Sequence, residues 1–266
     1  MTMEIQHQRN VGARFSAAAD TYLEASLLQD RVARHVINNV SGTVNPGCVF
    51  DAGCGPGRLL VKARQRWPEA ELLGVDIAPG MVEKAREVFS GDSRATFKEG
   101  DMGAYPGEKA FDLVISSSSL QWLRPFDAGF KHVVNLCKPG GYVSVGFMLD
   151  GTLGELREAR RAVAPQKEAL GRLPLLREVE AVVKSLPGYH LHHLEQTPEC
   201  CYEASGAAVL RYVHDTGVTG GDVSRGEAPL TRREIRALAE WYDQHYLTTK
   251  GAVMTFEVAY VVLERQ

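Results

Sequence analysis

Between residues 48 and 148, short apolar runs alternate with longer amphipathic stretches. Cys48–Asp51, Leu72–Asp76, Thr96–Glu99, Phe111–Ile115 and Tyr142–Met148 are brief and rich in apolar or β-branched residues, the pattern of buried strands. Helical spacing predicts helices from the Gly53–Gly57 turn to about Trp67, from Met81 to about Phe89, and from Pro125 to Leu136. Pro68 ends the first, and Pro79 is well placed to begin the second. Lys138-Pro139-Gly140-Gly141 reads as a turn before the fifth strand. Strands that alternate with helices predict a doubly wound, mostly parallel α/β sheet with helices on both faces. Right-handed crossovers then gather the C-terminal strand ends on one edge, where such sheets bind ligands.

The flanks carry other rhythms. Residues 11–40 place Phe15, Ala18, Ala19, Tyr22, Leu23, Leu27, Val32, Val36 and Ile37 near helical spacing, a helical leader. Residues 152–186 and 204–246 are charged and helical, separated by a strand-like stretch at Tyr189–Tyr202. Residues 253–264 are β-branched and aromatic, a final strand expected antiparallel beside the fifth. That makes seven strands in one domain spanning 1–266, with the leader and the two helical segments as a cap over the ligand edge.

Composition narrows the class. Of 266 residues, 44% are hydrophobic and 24% charged, as in soluble globular proteins, and the net charge of −3 gives no global case for nucleic acid. Five cysteines, odd in number and without paired metal-type spacing, fit a reducing cytoplasm better than a disulfide framework. The polar N-terminus lacks the apolar core of a secretory signal, and no run approaches a membrane span. His190, His192 and His193 alternate with leucines as on a strand with one wet face, so no metal site is expected.

The chemistry concentrates at Asp51-Ala52-Gly53-Cys54-Gly55-Pro56-Gly57. Glycines let a ligand lie against the backbone, and the helix start behind them presents unpaired N–H groups. Two ligand classes compete here. A dinucleotide would use G-x-G-x-x-G for its pyrophosphate, but these glycines run G-x-G-x-G, and the Asp51 carboxylate before them would repel phosphate. S-adenosylmethionine instead brings an ammonium and a sulfonium. Asp76, with Ile77, ends the second strand and suits ribose hydroxyls; Asp101 and the Met102 amide suit the adenine edge. Met81 packs on the adenine or in the core, and Ser116 sits at the exit of strand four.

DAGCGPG, GVDIAPGMVEKAR, EGDM, FDLVISS and CKPGG, in that order over residues 48–148, resemble the class I, Rossmann-like S-adenosylmethionine-dependent methyltransferases. The flanks narrow the resemblance. Arg14–Tyr22 with Leu28-Gln29, Ser118–Trp122, Gly151–Leu156, Leu210–Gly217, Leu230-Thr231-Arg232 and Thr255–Val258 are similar to the malonyl-acyl-carrier-protein O-methyltransferases of biotin synthesis. Ser117 and His214 stand where relatives often carry asparagine and a lysine-like base. The resemblance implies methylation of the free carboxylate of a malonyl thioester on an acidic acyl carrier protein. That nucleophile is already ionised at neutral pH, so no general base is expected and catalysis rests on orientation. Tyr22, Gln121 and Trp122, then Arg211 and His214, are the candidates for the acceptor pocket. Arg157, Arg160 and Arg161 are the candidates for carrier docking, with Lys62, Arg64 and Arg66 as a second basic cluster. A small free polycarboxylate is the alternative acceptor. A cofactor-binding subunit without turnover and an NAD-dependent oxidoreductase are the readings from other classes.

Overall fold

The buried strands split their side chains between two apolar layers, which explains why the sheet is covered on both sides. On β4 (Phe111–Ser117), Leu113 and Ile115 join one layer and Val114 the other. The computed structural model describes residues 12–13, 15–16, 27–107, 111–167, 171–216 and 228–266. β1 (Cys48–Ala52), β2 (Glu71–Asp76), β3 (Ala95–Glu99), β4 and β5 (Cys137–Met148) run parallel in the order β3-β2-β1-β4-β5. β8 (Gly251–Arg265) lies antiparallel against β5, as its position at the end of the chain predicts. β6 (Tyr189–Glu203) pairs antiparallel with the far side of β8. A two-residue arm, β7 (Leu247–Thr248), folds back on β8 and brings the strand total to eight, seven of them in the continuous path.

One boundary differs from the sequence pattern. Lys138–Gly141 is not a turn outside the sheet but an irregularity within β5. Phe111 pairs with Cys137, and Leu113 with Tyr142, so four residues bulge out without ending the strand. Gly140, at φ 78°, takes up the bend.

α1 (Leu27–Asn38), α2 (Arg58–Arg66) and α3 (Pro79–Val88) bury one face of the sheet, while α4 (Phe126–Asn135) and α6 (Leu176–Lys184) bury the other. α1 lies on β4 and β5 rather than over the strand ends. It sinks Ala33 together with Leu28, Val32, Val36 and Ile37, the last four each worth about 1.5–3 kcal/mol when fully buried. The Ser144 hydroxyl on β5 donates to the Val36 carbonyl at 2.7 Å, and Gly146 leaves room for Val32 and the Tyr260 ring. This docking matters for the site, because it carries Gln29 to the ligand edge.

α5 (Gly154–Val163), α7 (Gly206–Asp215) and α8 (Arg232–Tyr246) pack on one another and on β8 around buried Leu238 and Tyr242. Thr231 caps α8: its hydroxyl accepts from the Glu234 amide at 3.3 Å, and Glu234 accepts from the Thr231 amide at 2.6 Å. Among the described residues, no helix is long and apolar enough to cross a membrane.

Candidate functional site

β1 delivers Asp51 to the ligand edge, and the glycine turn holds the chain there. The Gly53 and Cys54 amides donate to the Val75 carbonyl at 2.8 and 3.0 Å, tying the turn to β2. Gly53, at φ 74°, tolerates no side chain: a Cβ would stand 2.4 Å from that of Ser119, whose hydroxyl donates to the Gly53 carbonyl at 2.8 Å. Gly55, at φ 51°, faces open space instead, so a ligand can approach its backbone. The turn then runs into α2, whose first amides carry the helix's partial positive charge.

A cavity of about 420 Å³ opens at this edge. Asp51, Gly53, Cys54, Gly55, Asp76, Ile77, Met81, Asp101 and Met102 all line it, so the strand ends bring these nine sequence candidates together. Gly57 and Ser116 sit behind the wall. Gly57 packs against Phe89, and the Ser116 hydroxyl, fully buried, donates to the Ala52 carbonyl at 2.7 Å within the sheet.

The three acids differ in their surroundings. Asp51 is 1% exposed, and both its oxygens are without a hydrogen-bond partner among the described residues. Burial, then the charge of Asp76, pushes its carboxyl well above the usual carboxylate range. Asp76 is also raised by burial, but is held back by backbone amides. Gly55 donates to its Oδ2 and Ala78 to its Oδ1, each at 2.8 Å. Each oxygen keeps a second lone pair for a ligand hydroxyl. Asp101 accepts from the Gly103 amide at 2.8 Å and so shapes the Met102–Ala104 turn. Cys54 is buried beside these acids, its thiol pushed well above the ordinary range by burial first and by Asp76 and Asp51 next, which keeps it protonated.

This arrangement fits a cationic adenosyl ligand. An ammonium would satisfy the orphaned Asp51 oxygens, a ribose the outward lone pairs of Asp76, and an adenine the slot by Asp101 and Met102 that Leu123, Ala128 and Gly129 also line.

A second cavity of about 40 Å³ shares Phe15, Gln29, Ser118 and Trp122 with the first and is completed by Gln121, Met148, Thr152, Leu173, Thr216 and Phe256. Gln121 and Trp122 therefore line this smaller cavity, with the Phe15 ring edge-on to Trp122 at 6.0 Å. Arg211 and His214 are exposed on α7 and line neither cavity. Tyr22 lies outside the described residues. Gln29, Arg58, Ser118 and Ser119 line the site without having been named as site candidates from sequence, although Leu28-Gln29 and Ser118–Trp122 carried the resemblance. Ser118 is visible only in the fold, through its φ of 58°.

The basic clusters are largely consumed within the molecule. Arg157 pairs with Asp150 at 3.2 Å and donates to the Gly171 carbonyl; Arg160 donates to the Lys167 and Ala228 carbonyls. Arg161 is exposed. Lys62 pairs with Asp30 at 2.6 Å, Arg64 with Asp92 at 2.8 Å, and Arg66 donates to the carbonyls of Ile37, Val40 and Ser41. His192 pairs with Glu264 at 2.8 Å, and His193 and His35 share Glu195.

Comparison with known proteins gives a concordant picture. A family model described as a methyltransferase domain matches residues 49–141. The malonyl-[acyl-carrier protein] O-methyltransferase of Geobacter sulfurreducens is 26% identical over 97% of this chain and 99% of its own. The biotin biosynthesis bifunctional protein BioCD of Bordetella avium is 27% identical over 95% of this chain; the chain spans about half the length of that relative, at 51%. The trans-aconitate 2-methyltransferase of Shigella flexneri is 35% identical over 58% of this chain and 60% of its own. Among solved structures, the YcgJ protein of Bacillus subtilis superposes with a TM-score of 0.58 at 15% identity, covering 89% of this chain and 99% of that one. The geranyl diphosphate C-methyltransferase of Streptomyces coelicolor, solved with S-adenosyl-L-homocysteine, superposes with a TM-score of 0.52 at 16% identity, covering 88% and 78%.

Proposed function

We propose that the chain is an S-adenosylmethionine-dependent methyltransferase of the class I fold and that it methylates the free carboxylate of a malonyl group carried on acyl carrier protein, in the cytoplasm. The observation that carries this reading is the similarity to enzymes so named over nearly the whole of this chain, flanks included. The described lining of the second cavity has no histidine, carboxylate or amine. A carboxylate acceptor needs none, since it is ionised at neutral pH.

When bound, the cofactor supplies a methyl group on a sulfonium. Asp51 would hold its ammonium, Asp76 its ribose, and Asp101 with Met102 its adenine. Gly57 and Ser116 would act from behind, by shaping the turn and fastening β4 to β1. Transfer to an acceptor carboxylate would ask this chain to orient the oxygen and exclude water, with no proton for a side chain to take. Gln121 and Trp122 would position the acceptor; Arg211 and His214, exposed on α7, would act outside the cavities if at all. Carrier docking would fall to arginines exposed on α5 and the adjoining α8, namely Arg161, Arg232, Arg233 and Arg236. These suit an acidic carrier.

A free polycarboxylate is the second reading, favoured by the similarity to trans-aconitate 2-methyltransferase over the cofactor half of the chain. Incubation with methyl-labelled S-adenosylmethionine and malonyl-carrier protein, malonyl-coenzyme A or free diacids separates the two. Label on malonyl thioesters is expected. Label on free diacids alone selects the second reading.

A further inference from the structure

Four residues line both cavities and so form the wall they share: Phe15, Gln29, Ser118 and Trp122. None of them carries a formal charge. Gln29 Oε1 and Ser118 Oγ are buried there without a partner among the described residues, and Gln121 Oε1, on the smaller cavity, is a third such oxygen. Gln29 is 8% exposed and Gln121 4%. Amide oxygens only accept, and the hydroxyl oxygen brings lone pairs as well. What these atoms lack is therefore a group with positive character. For Gln121 the orientation is fixed, because its Nε2 donates to the Ser118 carbonyl at 2.8 Å and leaves the oxygen unmet. The neighbouring threonines are already satisfied. Thr152 exchanges hydrogen bonds with the Glu257 backbone, and the Thr216 hydroxyl donates to the Tyr212 carbonyl.

The wall is rigidly built. Ser118 is held at φ 58°, a strained conformation for serine, by its amide donating to the Gly146 carbonyl at 2.7 Å and by the bond from Gln121. Gln29 is carried by α1, which the Ser144 hydroxyl fastens to β5 through the Val36 carbonyl. Phe15 packs on Ala78 and Met81, and the adjoining Ser16 hydroxyl accepts from the Gly80 amide at 3.3 Å. The Phe15 and Trp122 rings stand 6.0 Å apart at 70°, an aromatic corner. An aromatic face is electron-rich and attracts a cation within about 6 Å of its centroid, so a group lodged in that corner is within reach of both rings.

Asp51, Asp76 and Asp101 account for the ammonium, ribose and adenine of the cofactor. The part left over is the sulfonium, whose methyl has to face the acceptor, and hence the wall between the cavities. We propose that Phe15, Trp122, Gln29 and Ser118 form an uncharged cage for the sulfonium, offering π electrons and oxygen lone pairs to its positive charge. The inference rests on the S-adenosylmethionine reading and is independent of which acceptor is methylated. It gives Trp122 a role toward the cofactor beside its role toward the acceptor.

The absence of a formal charge from this wall suits the chemistry. A carboxylate beside the sulfonium would stabilise the charged cofactor more than a transition state in which that charge is fading. Rings and neutral oxygens attract more weakly, and their attraction acts on the charged methyl donor but not on the neutral thioether of S-adenosylhomocysteine. The cage thus favours fresh cofactor over spent cofactor.

Titration calorimetry without acceptor tests this, with S-adenosylmethionine and S-adenosylhomocysteine as paired probes. Phe15→Leu and Trp122→Leu keep apolar bulk but remove a ring. Each is expected to lose about 5-fold to 30-fold in affinity for S-adenosylmethionine and less than about two-fold for S-adenosylhomocysteine. Gln29→Leu removes an oxygen and leaves both rings, and should cost about 2-fold to 5-fold for the charged ligand alone. Trp122→Phe keeps an aromatic face and should hold the ratio of the two Kd values near that of the parent. Melting temperature checks that each variant is folded; if Trp122→Leu is not, Phe15→Leu decides. A ratio within about two-fold of the parent's in the leucine variants of both rings overturns the cage, whether the two affinities fall together or stay put, since rings that only pack would not distinguish the charged ligand. A parent protein that binds neither probe overturns the S-adenosylmethionine reading and the cage with it.

Discussion

Replacing Asp51 by asparagine should move stability and cofactor binding in opposite directions. Its two oxygens are buried without a partner, and burial together with Asp76 holds its carboxyl pKa well above 3.8 in the ligand-free protein. A group raised on folding favours the native state while protonated, and that contribution is lost as pH rises through the folded value. Ligand-free protein should therefore weaken from acid toward neutral pH on account of Asp51, and asparagine, which cannot ionise, should abolish that part of the slope. An unsatisfied buried polar group costs about 1–3 kcal/mol, more when charged. At about 2–4 °C per kcal/mol for a chain of this size, Asp51→Asn should raise the ligand-free Tm by about 2–10 °C at pH 8, with the gap closing toward pH 4. The cofactor's ammonium gains its partner from the same carboxylate. Losing a charge-assisted hydrogen bond of about 1.5–3 kcal/mol should raise the Kd for S-adenosylhomocysteine about 10-fold to 150-fold. Scanning calorimetry across pH 4–8 and titration calorimetry at pH 8 read the two effects. An Asp51→Asn protein that binds S-adenosylhomocysteine as tightly as the parent refutes the ammonium site. One that is less stable than the parent at every pH refutes the claim that the carboxylate is held at a cost until ligand arrives.

Other residues make sharper demands. Gly53→Ala places a Cβ 2.4 Å from that of Ser119 at a φ of 74°, so Tm should fall and cofactor binding should collapse with it; a Tm within 1 °C (~) of the parent would show that the turn yields freely. Charge reversal at Arg161, Arg233 and Arg236 should weaken transfer to malonyl-carrier protein several-fold more than transfer to malonyl-coenzyme A, and the difference should shrink with added salt. Equal effects on both acceptors would remove these arginines from docking. Arg157→Ala should instead lower Tm without discriminating between the acceptors, because its side chain holds Asp150 and the Gly171 carbonyl inside the fold.

How much of this could be read from the chain depends on how local each determinant is. The five parallel strands and their helices are written in contiguous periodicities, and the ligand edge follows from them, because crossovers of fixed hand leave strand ends together. Asp51, Asp76 and Asp101 were legible for that reason: each is an acid at the end of its own apolar run. Ser116 is also at a strand end, yet the pleat turns its hydroxyl into the sheet, where it donates to the Ala52 carbonyl. The partners of the α5 arginines were hidden for a different reason. Charge on a helix looks solvated in sequence, whereas the carbonyls that bind Arg157 and Arg160 lie at Gly171, Lys167 and Ala228, beyond the helix itself. Gln29 was hidden by distance: only the docking of α1 on β4 and β5 brings it beside Ser118, from the other end of the cofactor core. The strain at Ser118 has no sequence signature, since it arises from hydrogen bonds to Gly146 and Gln121 that exist only after folding.

The two ends of the site are opposite answers to one electrostatic problem. At the cofactor end a ligand with an ammonium is cationic in both ground and product states, so a fixed buried acid such as Asp51 would bind it throughout without favouring either side of the reaction. At the acceptor end the charge is consumed by the reaction, so a fixed opposite charge would act against the step. The uncharged lining there follows from this difference.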